Sequence, residues 1–286
     1  MSNPLVTIVI PVYNRYEYTR RCLESIRELD YEEKEILVVD NGSTDGTSMR
    51  LRAEFPWARV LGSETNLGYA GGCNIGMREA RGDRILLINN DTWIVDRDLL
   101  SVLGRELDAD PRLAAVGPRV VDYDDPSRIL FDGVGDAYGF LDITGVVLLL
   151  RRKALEEVGL FDDSFFAYYE DRDLFARLRK AGWSLRHVAA VRVAHKGSVT
   201  AVAGSGFYYR WHNRNLVVLL RRHATIRHLV RVLPTWMLET TWSAKSLLRR
   251  RDWEGLRSWL RGYWEGIHFA LADQPTSWPS LPARPP

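Results

Sequence analysis

Apolar runs broken by polar clusters dominate the first third of the chain. "VTIVIPV" (6–12) is rich in β-branched residues and closes on Pro11 and Asn14, which predicts a strand running into a loop. "YTRRCLESIREL" (18–29) puts Cys22, Leu23, Ile26 and Leu29 on one face at helical spacing. "EILVVD" (35–40) reads as a second buried strand, and the loop "NGSTDGT" follows it. A helix is predicted over 47–55, ended by Pro56, then a short strand over 58–63. A Gly-started helix over 70–80 and a fourth strand over 83–89 complete the series. Strand and helix alternating in this way imply an α/β fold with a mostly parallel sheet and crossover helices.

Ligands of such sheets bind outside the carboxyl ends of the strands. Polar side chains gather at all four ends: Tyr13, Asn14 and Arg15; Asp40 to Ser43; Asn66 to Tyr69; Asn89 to Asp91. Each set alone fits a solvated loop. Four in succession at one sheet edge point to a site for a nucleoside or phosphates.

The second half carries two further constellations. In "FFAYYEDRDLFARLRKAGW" (165–183) an aromatic run leads into Glu170-Asp171-Arg172-Asp173, and Leu174, Phe175 and Leu178 then recur at helical spacing. Acids in a first turn stabilise a helix through its dipole, which is the structural explanation of this cluster. "VRVAH" alternates like a strand and ends on His195.

Composition adds little until it is divided. The chain has 286 residues, 46% hydrophobic and 27% charged, as expected of a folded soluble protein. From Ser205 onward there are 13 Lys/Arg against 5 Asp/Glu, a net +8, whereas the preceding 204 residues carry −6. Seven of the ten Trp lie at or beyond Trp211. Helical periods edged with Arg and Trp suggest either an interfacial helix on an anionic membrane surface or an appendage packed on this chain or on a second copy in a homodimer. No nucleic-acid module is recognisable there. Residues 273–286 are Pro-rich and expected to be disordered. The organisation expected is an α/β domain over 1–204, a basic helical extension over 205–272 and a loose tail. Two cysteines, Cys22 and Cys73, do not make a disulfide framework. With no basic leader and no apolar stretch of roughly 20 residues, a cytoplasmic protein is expected, with peripheral attachment to the inner membrane face as a further option.

The ordered set "VTIVIPVYNR", "EILVVDNGSTDGT", "NLGYAGGCNIGM", "LLINNDT", "TGVVLLLRRKALEEVGLFDDSFFAYYEDRDLFARLRKAGW" and "VAHKGS" resembles the nucleotide-sugar domain of family 2, GT-A-type glycosyltransferases. Within that family the likeness is to bacterial rhamnosyltransferases of cell-surface polysaccharide synthesis. The resemblance implies a GT-A fold. It also implies a nucleotide-sugar donor (dTDP-rhamnose, or alternatively a UDP-hexose) and a glycan or polyprenol-linked acceptor. It further implies a divalent cation, Mg2+ or Mn2+, held by the acid that ends the fourth strand. Here the triplet is Asn89-Asn90-Asp91, so the family's first Asp is missing and Asp91 remains as the metal acid. That loss leaves open a nucleotide-sugar-binding protein without activity.

By the same resemblance Asp40 meets the base. Pro11, Tyr13 and Arg15 line base and diphosphate, and Asn66, Gly68 and Tyr69 close the pocket. Asn89 can hydrogen-bond the ribose or a phosphate-bound water, Asn90 beside it is a further donor-binding residue, Gly145 lets the donor sugar approach, and His195 completes the metal site. The general base is an acid of the Glu170–Asp171 pair, with Asp171 preferred and Glu170 otherwise meeting a sugar. Arg210 and Arg214 are candidates to reach the diphosphate. Neither G-x-G-x-x-G nor G-x-x-x-x-G-K-[ST] occurs, which excludes dinucleotide-fingerprint and P-loop chemistry.

Overall fold

The computed structural model describes residues 4–133, 143–197, 204–272 and 278–282. Strands β1 (Val6–Val12), β2 (Lys34–Asn41), β3 (Arg59–Ser63) and β4 (Arg84–Ile88) alternate with helices α1 (Tyr16–Arg27), α2 (Thr47–Glu54) and α3 (Gly68–Glu79). These four strands pair in parallel in the order β3-β2-β1-β4, as the alternation predicts. Beyond β4 the pairing changes. β8 (Val147–Arg151) runs antiparallel to both β4 and β6 (Leu113–Asp122), and β6 pairs in parallel with β9 (Ser184–His195). The three-residue strand β5 (Thr92–Ile94) closes that edge, antiparallel to β9, and β7 (Ile129–Phe131) pairs with β6.

Side-chain alternation along β1 divides the core. Ile8 and Ile10 join Leu23 and Ile26 of α1 and Leu99 and Leu103 of α4 (Leu99–Asp108) on one face. Val9 joins Cys73 and Met77 of α3 on the other. There α5 (Arg152–Val158) and α6 (Glu170–Lys180) complete the layer through Leu155, Leu174 and Phe175. Both cysteines are buried and free.

Helix α1 starts two residues earlier than its periodicity suggests. Asn14 and Arg15 take left-handed backbone at φ 58° and 64°, and the turn is tied down from the β2–α2 loop. Ser43 Oγ accepts from the Asn14 N–H and Asp45 from the Arg15 N–H.

The C-terminal segment forms three helices: α7 (Gly206–His223), α8 (Ile226–Arg250) and α9 (Trp253–Ala272). None is long and apolar enough to cross a membrane. Leu216, Val218 and Leu219 of α7 share a third core cluster with Phe165 and Tyr169, so α7 packs as part of the catalytic body. Arg222 pairs with Asp162 at 2.6 Å and His223 Nε2 meets Asp173 at 2.8 Å. Burial raises the Asp173 carboxyl, but the His223 and Arg177 contacts outweigh it and hold the group below its ordinary range. Residues 278–282 also correct the picture of a loose tail. The Pro279 carbonyl accepts from the Leu160 N–H, and Leu281 is buried in the core. The rest of that tail, and Ser198 of "VAHKGS", fall outside the described residues.

Candidate active site

A cleft of about 410 Å³ opens at the carboxyl ends of β1, β2 and β4. Its wall brings together Pro11, Tyr13, Asn66, Gly68, Tyr69, Asn89, Asn90, Asp91, Gly145, Glu170, Asp171 and His195. Twelve residues spread over 185 positions of sequence therefore line one space.

The floor comes from β5 and β9. Thr92 is the register partner of His195, which sets Asp91 beside the imidazole. His195 Nε2 lies 3.2 Å from Asp91 Oδ1, and both side chains are largely buried. Asn89 Oδ1 is buried with no hydrogen-bond partner. Asn90 instead donates to Thr19 Oγ1 at 3.0 Å, which turns it toward α1. A carboxylate oxygen, an imidazole nitrogen and an orphaned amide oxygen suit Mg2+ or Mn2+. No group of three His, Cys, Asp or Glu gathers among the described residues, so phosphate and water would complete the shell.

The other wall is the loop before α6. Phe166, Tyr168 and Tyr169 all have positive φ, at 57°, 68° and 72°. Non-glycine residues hold that region only when their surroundings fix them. Asn215 of α7 supplies the restraint: its amide donates to the carbonyls of Phe165, Ala167 and Tyr168 at 2.6, 2.7 and 2.9 Å. From the opposite side the Tyr69 N–H donates to the Phe166 carbonyl, and a Cβ at Gly68 would stand 2.3 Å from that oxygen. We predict that Asn215→Leu, similar in volume but without donors, lowers stability by about 3–5 kcal/mol as three carbonyls lose their partner. Thermal unfolding should show Tm reduced by roughly 10 °C. An unchanged Tm would mean the loop holds itself.

Glu170 and Asp171 sit at the end of this loop in different settings. Asp171 is half-buried, and its carboxylate accepts from the Gly145 N–H at 3.1 Å and the Arg172 N–H at 2.7 Å. A Cβ on Gly145 would lie 2.8 Å from Asp171 Oδ2. The glycine therefore makes room for that carboxylate while it lines the cleft. Glu170 is buried and its Oε2 has no partner. Burial first, and the Asp171 charge second, push its carboxyl up to about 8. A carboxyl raised in the folded state contributes stability that is complete below its unfolded pKa and lost as pH rises through the folded value. Glu170→Gln, a mimic of the neutral form, should flatten the fall in Tm between about pH 4.5 and 8. An identical pH profile in the variant would refute this.

Four predicted residues lie outside the cleft wall. Arg15 is exposed at the start of α1. Asp40 is buried, with Oδ1 accepting from the Ser43 N–H, and its neighbour Asn41 lines the cleft instead. Arg210 makes a two-pronged pair with Glu265 of α9 at 2.8 and 2.9 Å. Arg214 is buried and donates to the Ser164 carbonyl. Both arginines serve packing between the helices and the loop.

Asn41, inside the polar set that ends β2, and His212 also line the cleft without a role in the motifs. Asn41 donates to Asn66 Oδ1 and the Gly68 carbonyl and accepts from the Leu67 N–H, fixing the turn before α3. His212 of α7 shares a 2.7 Å hydrogen bond with the Tyr169 hydroxyl. Burial, then the Arg172 charge, lowers its pKa to about 4, so it stays neutral. The sequence held no local signal for His212, because its partner lies 43 residues away.

The model of glycosyl transferase family 2 matches residues 7–159, which include the part of this cleft from Pro11 to Gly145. The chain belongs to that family. This glycosyltransferase is similar to the N-acetylglucosaminyl-diphospho-decaprenol L-rhamnosyltransferase of Mycobacterium tuberculosis, 27% identical over 90% of this chain and 95% of the relative. Its fold is shared with S. aureus TarS 1–349 in complex with UDP-GlcNAc, at TM-score 0.63 and 15% identity, over 94% of this chain and 87% of that one. It is also shared with a mannosyltransferase of Pyrobaculum calidifontis in complex with GDP-Man and Mn2+, at TM-score 0.62 and 20% identity, over 92% and 87% of the two chains. The likeness confirms the GT-A architecture and the helical C-terminus expected from the motifs. It also makes the chain an enzyme of glycosyl transfer.

Proposed function

We propose that this glycosyltransferase moves rhamnose from dTDP-rhamnose onto a sugar carried on a polyprenyl diphosphate, with inversion at the anomeric carbon. The observation that carries the reading is the convergence in one cleft of Asp91, His195 and Asp171, opposite Pro11, Tyr13 and Asn66. The choice of sugar and acceptor rests on the similarity to the mycobacterial rhamnosyltransferase.

Asp171 accepts the proton of the acceptor hydroxyl as that oxygen attacks the anomeric carbon. The new C–O bond forms on the face opposite the leaving diphosphate, the old C–O bond breaks, and the nucleoside diphosphate departs with the electron pair. One carboxylate suffices, because a diphosphate needs no proton to leave. Asp91 and His195 would hold a Mg2+ or Mn2+ ion, which when bound compensates the diphosphate charge. Pro11 and Tyr13 cover the base, and Asn66 and Tyr69 close over the donor.

Hydrolysis of a panel of nucleotide sugars with Mn2+ and no acceptor tests the donor. Release of dTDP from dTDP-rhamnose ahead of all others is expected. Preference for a UDP-hexose would replace the donor, and absence of both hydrolysis and binding would leave a non-catalytic protein.

The acceptor's lipid places the enzyme at a membrane surface on the cytoplasmic side. Trp253 and Trp264 are each at least 60% exposed on α9, among the arginines that give this segment its positive charge. Aromatic and basic side chains together suit an anionic lipid surface, at about 1 kcal/mol per basic residue. The full chain should sediment with anionic vesicles at low salt and be released at high salt. Failure to sediment at low salt would remove the membrane from the reading.

A further inference from the structure

A second cavity, of about 630 Å³, lies between α7, α8 and α9. It adjoins the candidate active site: Tyr169, Arg172 and His212 line both spaces. Its size falls within the roughly 300–1,000 Å³ of small-molecule sites.

Its lining is aromatic and hydroxylated. Trp236, Trp242, Trp259 and Tyr263 supply ring faces and edges. Trp236 Nε1 donates to the Tyr263 hydroxyl at 3.2 Å, and that hydroxyl also meets Thr240 Oγ1 at 3.0 Å, which fixes the ring edges along one wall. Glu239 and Ser243 add an acid and a hydroxyl on the α8 side. Broad ring faces with polar groups between them match a pyranose, whose axial C–H bonds pack on aromatics while its hydroxyls reach acceptors and donors.

Charge argues against the other parts of a lipid-linked acceptor. Arg172 is the one cationic side chain of this lining, and it stands at the junction with the active site. His212 is neutral, and Glu239 lines the same space, so a diphosphate seated there would meet an acid. An isoprenoid chain would lie against Glu239, Ser243 and Asn213, polar side chains to which an aliphatic ligand offers no hydrogen bond. The cavity meets the cleft that holds Asp171 at Tyr169, Arg172 and His212, so a ring seated in it borders that cleft.

We propose that this cavity is the acceptor subsite and takes the sugar ring of the acceptor, with Trp242 and Glu239 as its selecting contacts. The inference rests on the transfer reaction proposed above, and adds where the second substrate sits. Trp242 is 71% exposed and Glu239 is also exposed, so neither holds the fold.

The test uses the full chain, without vesicles, and a soluble acceptor probe: N-acetylglucosaminyl diphosphate on a short prenyl chain. Trp242→Ala should raise the acceptor KM about tenfold or more, and Glu239→Gln about threefold or more. Acceptor-independent hydrolysis of dTDP-rhamnose should be unchanged in both. Normal donor hydrolysis with an unchanged acceptor KM in both variants would overturn the subsite. So would equal inhibition by the same prenyl diphosphate lacking its sugar, if that inhibition also depends on Trp242, because the cavity would then hold the lipid. Absence of donor hydrolysis by the unaltered enzyme would instead sink the parent reaction, a result that the variants cannot mimic.

Discussion

Asp171→Asn is expected to lower glycosyl transfer about 10²–10⁴-fold while donor affinity stays within a few-fold of the original. Asparagine keeps the size of the side chain, and its carbonyl oxygen still accepts from the Gly145 N–H. What it loses is the capacity to take a proton from the acceptor. Glu170 is a poor substitute, since burial and its neighbour's charge keep it protonated through neutral pH. A pair of adjacent carboxyls with unlike settings divides the labour between a neutral acid and a charged base. If Glu170→Gln abolishes transfer and Asp171→Asn leaves it intact, the roles must be exchanged.

The second large effect is expected at the floor of the cleft. Asp91→Ala should reduce turnover about 10²–10³-fold, the scale of a lost electrostatic stabiliser. The same substitution should weaken Mn2+ binding, read directly by titration of the protein with the ion. His195 would remain, but an imidazole alone brings no negative charge to the site. Activity that persists undiminished in EDTA, or unaltered Mn2+ affinity in the variant, would exclude Asp91 as the metal acid.

Much of this site is legible in the linear sequence because strand periodicity fixes where strands stop. Once β1, β2 and β4 are recognised as parallel, their terminal residues must share an edge, and Pro11, Tyr13, Asn89 and Asp91 follow. His195 was legible for a related reason, as the last residue of an alternating run. Legibility ends where a contact depends on a partner far along the chain with no pattern of its own. Arg210 and Arg214 have the chemistry for a diphosphate, and only the positions of Glu265 and the Ser164 carbonyl show why they are engaged elsewhere. Asp40 and Asn41 differ by a single step along β2, and the pleat decides which of them faces the cleft. Asn215, inside a run of aliphatic and basic residues, looks like a surface amide, yet it is fully buried.

That one amide has a practical consequence for anyone wishing to change what the enzyme glycosylates. Exchanging C-terminal helices between relatives is an obvious route to chimeras with new acceptors, and the charge step at Ser205 invites a graft there. A junction at that point would exchange the amide that holds Phe166, Tyr168 and Tyr169 in place, together with the Arg222–Asp162 and His223–Asp173 pairs. A junction between α7 and α8, at Ala224 and Thr225, spares that amide but divides α7 from α9, where Arg210 pairs with Glu265 and Gly262 and Gly266 lie against the α7 backbone. A chimera spliced there keeps the recipient's own loop restraint, and works only with an incoming α9 that retains Glu265 and the two glycines facing α7.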